Sequence, residues 1–369
     1  MTGATSSQNL RQASFGGTEH TPRHICVAGV SGLAGAHIAR AALALGWHVT
    51  GTLRDATDTS KTVPLMALPG ARDRLRLISA DTAQPESFVD ALKDSDALVI
   101  ACLPSIRSGP DGTPANDLDP RAGMAHCINP AKTACRNLIT AADRNGIGDI
   151  VLLSSTASAD PNPPPAIKNE LRHHSDLEHQ IEQKKFIAAQ KTAMEIAATR
   201  LAQDRDLRLI ILLSGMILGP GILPCHHQGH VLSRLRDMAV KARPWHRNTP
   251  NGSMSLIHPA DLARQCLAAL QKPEAEGRYF AVAKSWQWSD IYQEISNFAP
   301  EDALPAVVPK GTTPAATTEF DFTKRDSLAP PRHGLPEMVS GFYHWLDECN
   351  EAKLDDLEIG AEPAGAVAR

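Results

Sequence analysis

No apolar run in the 369 residues approaches the roughly 20 needed to span a bilayer. The first twenty residues are polar and lack the apolar stretch of a signal peptide, so a cytoplasmic protein is expected. None of the seven cysteines (Cys26, Cys102, Cys127, Cys135, Cys225, Cys266 and Cys349) forms a CxxC pair. An odd, scattered set argues against a disulfide framework and for reduced thiols. Charge of one sign is also missing. A net charge of -4 gives no electrostatic case for nucleic acid or an anionic membrane as partner. Tyrosine is scarce: the chain has three, Tyr279, Tyr292 and Tyr343, all in its C-terminal portion.

What is present is a regular alternation. HICVA, WHVTGTLRD, RLRLISAD, ALVIAC, DIVLLSST and RLIILLSG read as strands. Helical segments separate most of them, including one through roughly residues 184–204. This order predicts an α/β chain of the Rossmann type, a doubly wound parallel sheet with right-handed crossovers and a smaller C-terminal substrate-binding region. After Gly219-Pro220-Gly221 the composition shifts to His, Pro and Gly.

Between the first strand and the first helix stands VAGVSGLAG, with Gly29, Gly32 and Gly35. Gly29 permits the tight turn, Gly32 lets the backbone approach a pyrophosphate, and Gly35 lets helix pack closely on strand. The helix N-terminus adds unpaired N–H groups and the positive end of its dipole. Ser31, Leu33 and Ala34 complete that turn. At the tip of the second strand, where a carboxylate selects NAD, stands Arg54, followed by Asp55 and then Lys61. Two cations there favour the 2′-phosphate of NADP(H). Arg54 as an ordinary solvated loop cation is the plainer alternative. Asp81, with Thr82, ends the third strand in position to meet the adenine. Ala101 and Cys102 at the end of the fourth strand with Leu103 after it, and Ser214 at the end of the sixth with Met216 and Ile217 after it, complete the expected cofactor-binding set.

Several segments in order (VAGVSGLAG, GTLRD, SAD, IVLLSS, QKTAMEIA, LLSGMILGPG, SLIHPADLARQCLAAL and EGRYFAV) resemble the extended short-chain dehydrogenase/reductases, in particular the dihydroflavonol reductase and cinnamoyl-CoA reductase branch. The resemblance covers roughly residues 24–349. It implies hydride transfer between a nicotinamide and a carbonyl or alcohol carbon, served by a Ser, a Tyr and a Lys. The serine corresponds to Ser155 and the lysine to Lys191, which also contacts the cofactor. A capping hydroxyl and a helix-surface lysine are the plainer readings of this pair. The family's tyrosine lies four residues before the lysine, and Ile187 stands there. Phe186, one residue earlier, carries no proton to give. A positioned general acid contributes typically about 10²- to 10⁴-fold in rate, so the departure matters.

Two histidine groups stand near these positions: His173, His174 and His179, and then His226, His227 and His230 beside Cys225. Histidine titrates near neutrality, so His226 and His230 are candidate proton donors. The same residues also read as solvated loop histidines, and the expectation for metal is none. Trp245 is a candidate pocket wall or an anchor of the smaller region.

The expected organisation is a disordered lead-in over 1–22, an NADP-binding domain over 23–220 with 255–285 returning to it, a substrate-binding region over 221–254 and 286–349, and a disordered tail over 350–369. The expected function is an atypical NADP(H)-dependent oxidoreductase of a small carbonyl, imine or enone, monomeric or homodimeric. A non-redox cyclase, isomerase or dehydratase on the same scaffold is the alternative, and a nucleotide-sensing protein without turnover is a third.

Overall fold

The computed structural model describes residues 24–103, 105–306 and 313–359. The expected disordered lead-in lies outside them. Its strands are β1 (His24–Ala28), β2 (His48–Leu53), β3 (Leu75–Ser79), β4 (Ala97–Ile100), β5 (Asp149–Ser155) and β6 (Ile167–Lys168). They continue with β7 (Arg208–Ser214), β8 (Met216–Ile217), β9 (Ser253–Ile257), β10 (Gly277–Ala281), β11 (Lys284–Gln287) and β12 (Glu319–Phe320). Seven of these form one sheet in the order β10-β7-β5-β4-β1-β2-β3. Every pairing in it is parallel. The chain order reverses between β1 and β4, which places the ligand crevice of such a sheet at their carboxyl ends.

The strands read as near-continuous apolar runs because both faces of the sheet are covered. Along β1, Ile25 and Val27 join one buried cluster while Cys26 and Ala28 join another. The first cluster is roofed by α1 (Leu33–Ala44) and by the helix Pro259–Gln271. The second is roofed by Asn129–Arg144 and Phe186–Asp204. Strand side chains alternate in direction, so a doubly covered sheet needs apolar residues at consecutive positions.

Numbered in chain order, the longer helices are α1, α2 (Thr59–Met66), α3 (Asn129–Arg144), α4 (Phe186–Asp204), α5 (His230–Lys241), α6 (Pro259–Gln271), α7 (Trp288–Ile295) and α8 (Leu335–Ile359). Helix α2 is absent from the sequence reading. Its amphipathic signal is weak, Pro64 lies inside it, and its start is set by the Asp58 carboxylate accepting from the Ser60 N–H. Helix α8 continues through Ile359, past the Asn350 at which the ordered part was expected to end. Residues 360–369 of that tail lie outside the described residues.

A three-stranded sheet, β11-β9-β8, packs with α5, α7 and α8 around a third cluster that includes Leu235, Met238, Trp288, Phe342 and Trp345. The return to the large sheet is made by α6 and β10, while β9 and β11 pair in the small one. Trp245 meets Trp288 edge-on at 5.0 Å between ring centroids and stacks on His246 at 5.1 Å. It anchors this cluster, which corrects its reading as a pocket wall.

Candidate active site

The glycine turn is shaped by contacts that only hydrogen side chains permit. Gly29 has φ +87°, and a Cβ there would lie 2.5 Å from the Cys102 Cβ. A Cβ on Gly35 would lie 2.2 Å from the carbonyl oxygen of Gly29. Gly29 donates its N–H to the Thr52 carbonyl at 3.1 Å, tying the turn to β2. Gly32 caps α1 without any side-chain hydrogen bond, and Leu33 and Ala34 face the cleft beyond it. The first N–H groups of α1 are thus available to an anion, and the turn fits a dinucleotide pyrophosphate.

Two adjoining cavities share Ser31, Gly32 and Ala101. The first, of about 650 Å³, is lined by Gly29, Arg54, Asp81, Thr82 and Cys102 among others. The second, of about 540 Å³, is lined by Leu33, Ala34, Leu103, Ser154, Ser155, Lys191, Ser214, Met216, Ile217, Cys225 and His226 among others. The structure therefore brings together the strand-end residues that the sequence placed separately. Gly35 lies beneath the turn and shapes it from below.

Lys61 departs from expectation. Its ammonium is 2.6 Å from the Asp58 carboxylate, the N-cap of its own helix, and it lines neither cavity. Asp55 is likewise turned into a local loop, accepting from the N–H and hydroxyl of Thr57 at 2.8 and 2.6 Å. Arg54 alone of this trio faces the cleft. The case for a 2′-phosphate rests on one cation rather than two.

At the other end, Ser155 accepts a hydrogen bond from the Ala157 N–H at 3.2 Å, capping a short turn. Its neighbour Ser154 donates to the buried Glu195 carboxylate, as does Ser158. Arg278 reaches the same carboxylate at 3.1 Å and donates to the Ser158 carbonyl at 2.9 Å. Burial raises the Glu195 pKa, and Arg278 opposes that rise. This buried pair props the β5 end carrying Ser155. Its partners stand in the QKTAMEIA and EGRYFAV segments, and no local pattern joins them. Leaving either charge alone is costly, so they act as a unit.

Lys191 is partly exposed at the wall of the second cavity. Burial of its surroundings holds its pKa below the ordinary lysine value. Among the described residues no hydrogen bond or ion pair engages it. Ile187, one helical turn earlier on the same side of α4, is partly buried, while Phe186 turns away into a separate cluster. No tyrosine lines either cavity. Tyr279 accepts from the Glu276 N–H, Tyr292 bonds His246, and Tyr343 donates to the Leu235 carbonyl.

His226 lines the cavity, but its ring is committed. Nδ1 accepts from the Ile222 and Leu223 N–H groups at 3.1 and 3.4 Å. Nε2 therefore carries the hydrogen and donates to the Ser31 carbonyl at 3.1 Å. Burial pushes its pKa down to about 4. A neutral, fully bonded imidazole staples the 222–226 loop to the glycine turn, so the proton-donor reading of His226 is corrected. His230 opens α5, between Gly229 and Val231 of the cavity lining. His227 meets Arg236 at 3.0 Å, and the earlier group is dispersed, His173 bonding the Asn169 N–H and His174 meeting Arg278.

Comparison with known proteins decides the lineage. The model of the NAD dependent epimerase/dehydratase family matches residues 25–283. The chain belongs to that family. Tetraketide alpha-pyrone reductase 1 of Arabidopsis thaliana is 25% identical over 325 residues, covering 85% of this chain and 92% of the relative. Cinnamoyl-CoA reductase 1 of Oryza sativa subsp. japonica is 27% identical over 281 residues, covering 75% and 76%. In fold, the yeast methylglyoxal/isovaleraldehyde reductase solved with NADPH aligns with a TM-score of 0.72 at 18% identity, covering 89% of this chain and 99% of the other. Vestitone reductase from alfalfa aligns at 0.67 and 18%, with the same coverage. The family resemblance read from the sequence and the parallel-sheet Rossmann fold both stand. No helix among the described residues is long and apolar enough to cross a membrane.

Proposed function

We propose that this member of the epimerase/dehydratase family is an NADPH-dependent reductase of a small neutral carbonyl, imine or enone, working with a proton donor other than tyrosine. One observation carries the reading: Ser155 and Lys191 face the cavity that adjoins the glycine turn, and no tyrosine does. NADPH would be held by the turn from Gly29 to Gly35, by Arg54 at its 2′-phosphate, and by Asp81 and Thr82 beside its adenine. When bound it supplies a hydride. The chain's own groups orient the acceptor: Ser155 offers a hydroxyl to its heteroatom, and Leu33, Leu103, Met216, Ile217 and Leu232 exclude water around it. Among the described residues lining this cavity, Lys191 is the one ionic side chain besides the neutral-held His226 and no carboxylate is present, which favours an uncharged substrate. The segments 221–254 and 286–349 form the substrate-binding region in this reading, and the protein is cytoplasmic, as a monomer or homodimer.

The test is to follow NADPH absorbance with a panel of ketones, aldehydes, imines and enones. Substrate-dependent loss of NADPH is expected. Product formed without net cofactor change would replace this reading by an isomerase or dehydratase, and failure to bind any dinucleotide would remove both. Ile187→Tyr should raise the rate on a simple ketone by about 10²-fold, because it restores an oxygen-side acid.

A further inference from the structure

Among the described side chains lining the second cavity, seven carry a transferable proton: Ser31, Ser154, Ser155, Lys191, Ser214, Cys225 and His226. Most are spoken for or unsuited. Ser154 gives its proton to Glu195, and Ser214 gives its own to the Ser154 carbonyl at 3.0 Å. His226 holds its single N–H on Ser31. Burial raises the pKa of the Cys225 thiol. Ser31 and Ser155 are alcohols, and giving up a proton would leave an alkoxide. Among the described residues no hydrogen bond ties the Ser155 Oγ to a base; it accepts from the Ala157 N–H. Lys191 differs in kind, because loss of a proton leaves it a neutral amine.

The helix is also pinned on both sides of this residue. Gln190 clamps the Ile106 backbone through both amide atoms, accepting at 2.9 Å and donating at 2.7 Å. Thr192 donates to Gln180 at 2.8 Å. With Ile187 in the preceding turn, the ammonium has no phenol to engage and turns to the cavity. We propose that Lys191 is itself the proton donor of the reaction, delivering an Nζ proton to the substrate heteroatom while Ser155 positions that atom. The assignment rests on the reductase reading above. An Nζ–H bond breaks and an O–H or N–H bond forms on the reduced carbonyl or imine. The electron pair enters with hydride from a reduced nicotinamide, which is oxidised, and Lys191 regains its proton from solvent.

The charged and titratable groups around Lys191 are Cys135 on α3, Glu195 on its own helix and Arg107 on the loop after β4. Burial dominates, Arg107 adds to its effect, and Cys135 and Glu195 oppose it, leaving the lysine a readier acid than an exposed one. Donation requires the charged form, so turnover should fall as pH rises through the pKa of Lys191.

Two measurements test this. Competitive acetylation of the cofactor-free protein, read by peptide mass spectrometry, should show Lys191 titrating below the ordinary lysine value. Titration at or above the ordinary lysine value would overturn the proposal without reference to any substrate. Lys191→Arg keeps the charge but is too weak an acid. It should keep the parent's midpoint of urea unfolding, lose about 10²-fold or more in kcat, and lose the alkaline limb of the pH profile. Ser155→Ala should lose rate and keep that limb. Parent-like turnover and pH profile in Lys191→Arg would overturn the assignment and leave the reductase reading standing. Absence of turnover in the parent chain would overturn both.

Discussion

The two ends of the cleft are built by different means. At the dinucleotide end the recognition surface is backbone, folded by glycines a few residues apart, and one helix start supplies the donors. At the chemistry end it is made of side chains from β5, α4, the end of β7 and the loop before α5. A site made of local backbone is sensitive to a single methyl group. A site assembled from distant elements is sensitive to the buried contacts that hold those elements in place.

The largest effect belongs to the first kind. Gly35→Ala forces a Cβ within 2.2 Å of the Gly29 carbonyl oxygen, and backbone cannot yield as a side chain does. We expect a stability loss of about 3 kcal/mol by urea unfolding and an NADPH affinity reduced by about 10²-fold or more. Near-parental binding would show that the turn has slack it lacks here, and would blur the contrast between the ends.

His226 joins the two ends, and its effect is intermediate. The folded chain holds its pKa near 4, against 6.5 when exposed. The unfolded chain therefore takes up the proton first as pH falls. The stability due to this neutral imidazole is full above pH 6.5 and declines as pH drops toward 4. Between pH 7 and pH 5 the loss is about 2 kcal/mol from this group. His226→Gln should flatten the pH dependence of urea unfolding by that amount, and an unchanged slope would mean that the loop is stapled to the turn by other contacts.

The smallest effect sharpens the cofactor choice. Arg54→Ala should weaken NADPH binding by about 10-fold, the worth of a charge-assisted contact, while changing NADH binding less than about 2-fold. Lys61→Ala should leave the NADPH-to-NADH ratio unchanged, because Asp58 already holds that ammonium. Equal effects of the two substitutions would restore a two-cation site.

Much of the first end was legible in the sequence. Runs such as HICVA and DIVLLSST match β1 and β5 to within a residue, because a doubly covered parallel strand is apolar at consecutive positions through its middle. Helix α2 was not legible, since a local cap and turn contacts outweigh its composition. Of the candidate chemistry, Ser155 and Lys191 were named from their place in family segments, and the cavity unites them. The commitments of Lys61 and His226 were invisible, because a charged or titrating residue looks the same in sequence whether its partner is solvent or a buried carbonyl.

The sequence alone determined the alternation of strands and helices, the glycine turn, and the absence of a tyrosine anywhere before residue 279. These depend on short-range periodicity, on backbone freedom and on composition. The tertiary structure decided which polar groups remain available. Gln190 and Ile106 lie 84 residues apart, and Arg278 and Ser158 lie 120 apart. Hydrogen bonds saturate, so a group's chemistry depends on which partners the fold has already given it. At the chemistry end that leaves Lys191 facing the cavity with its protons free of any described partner.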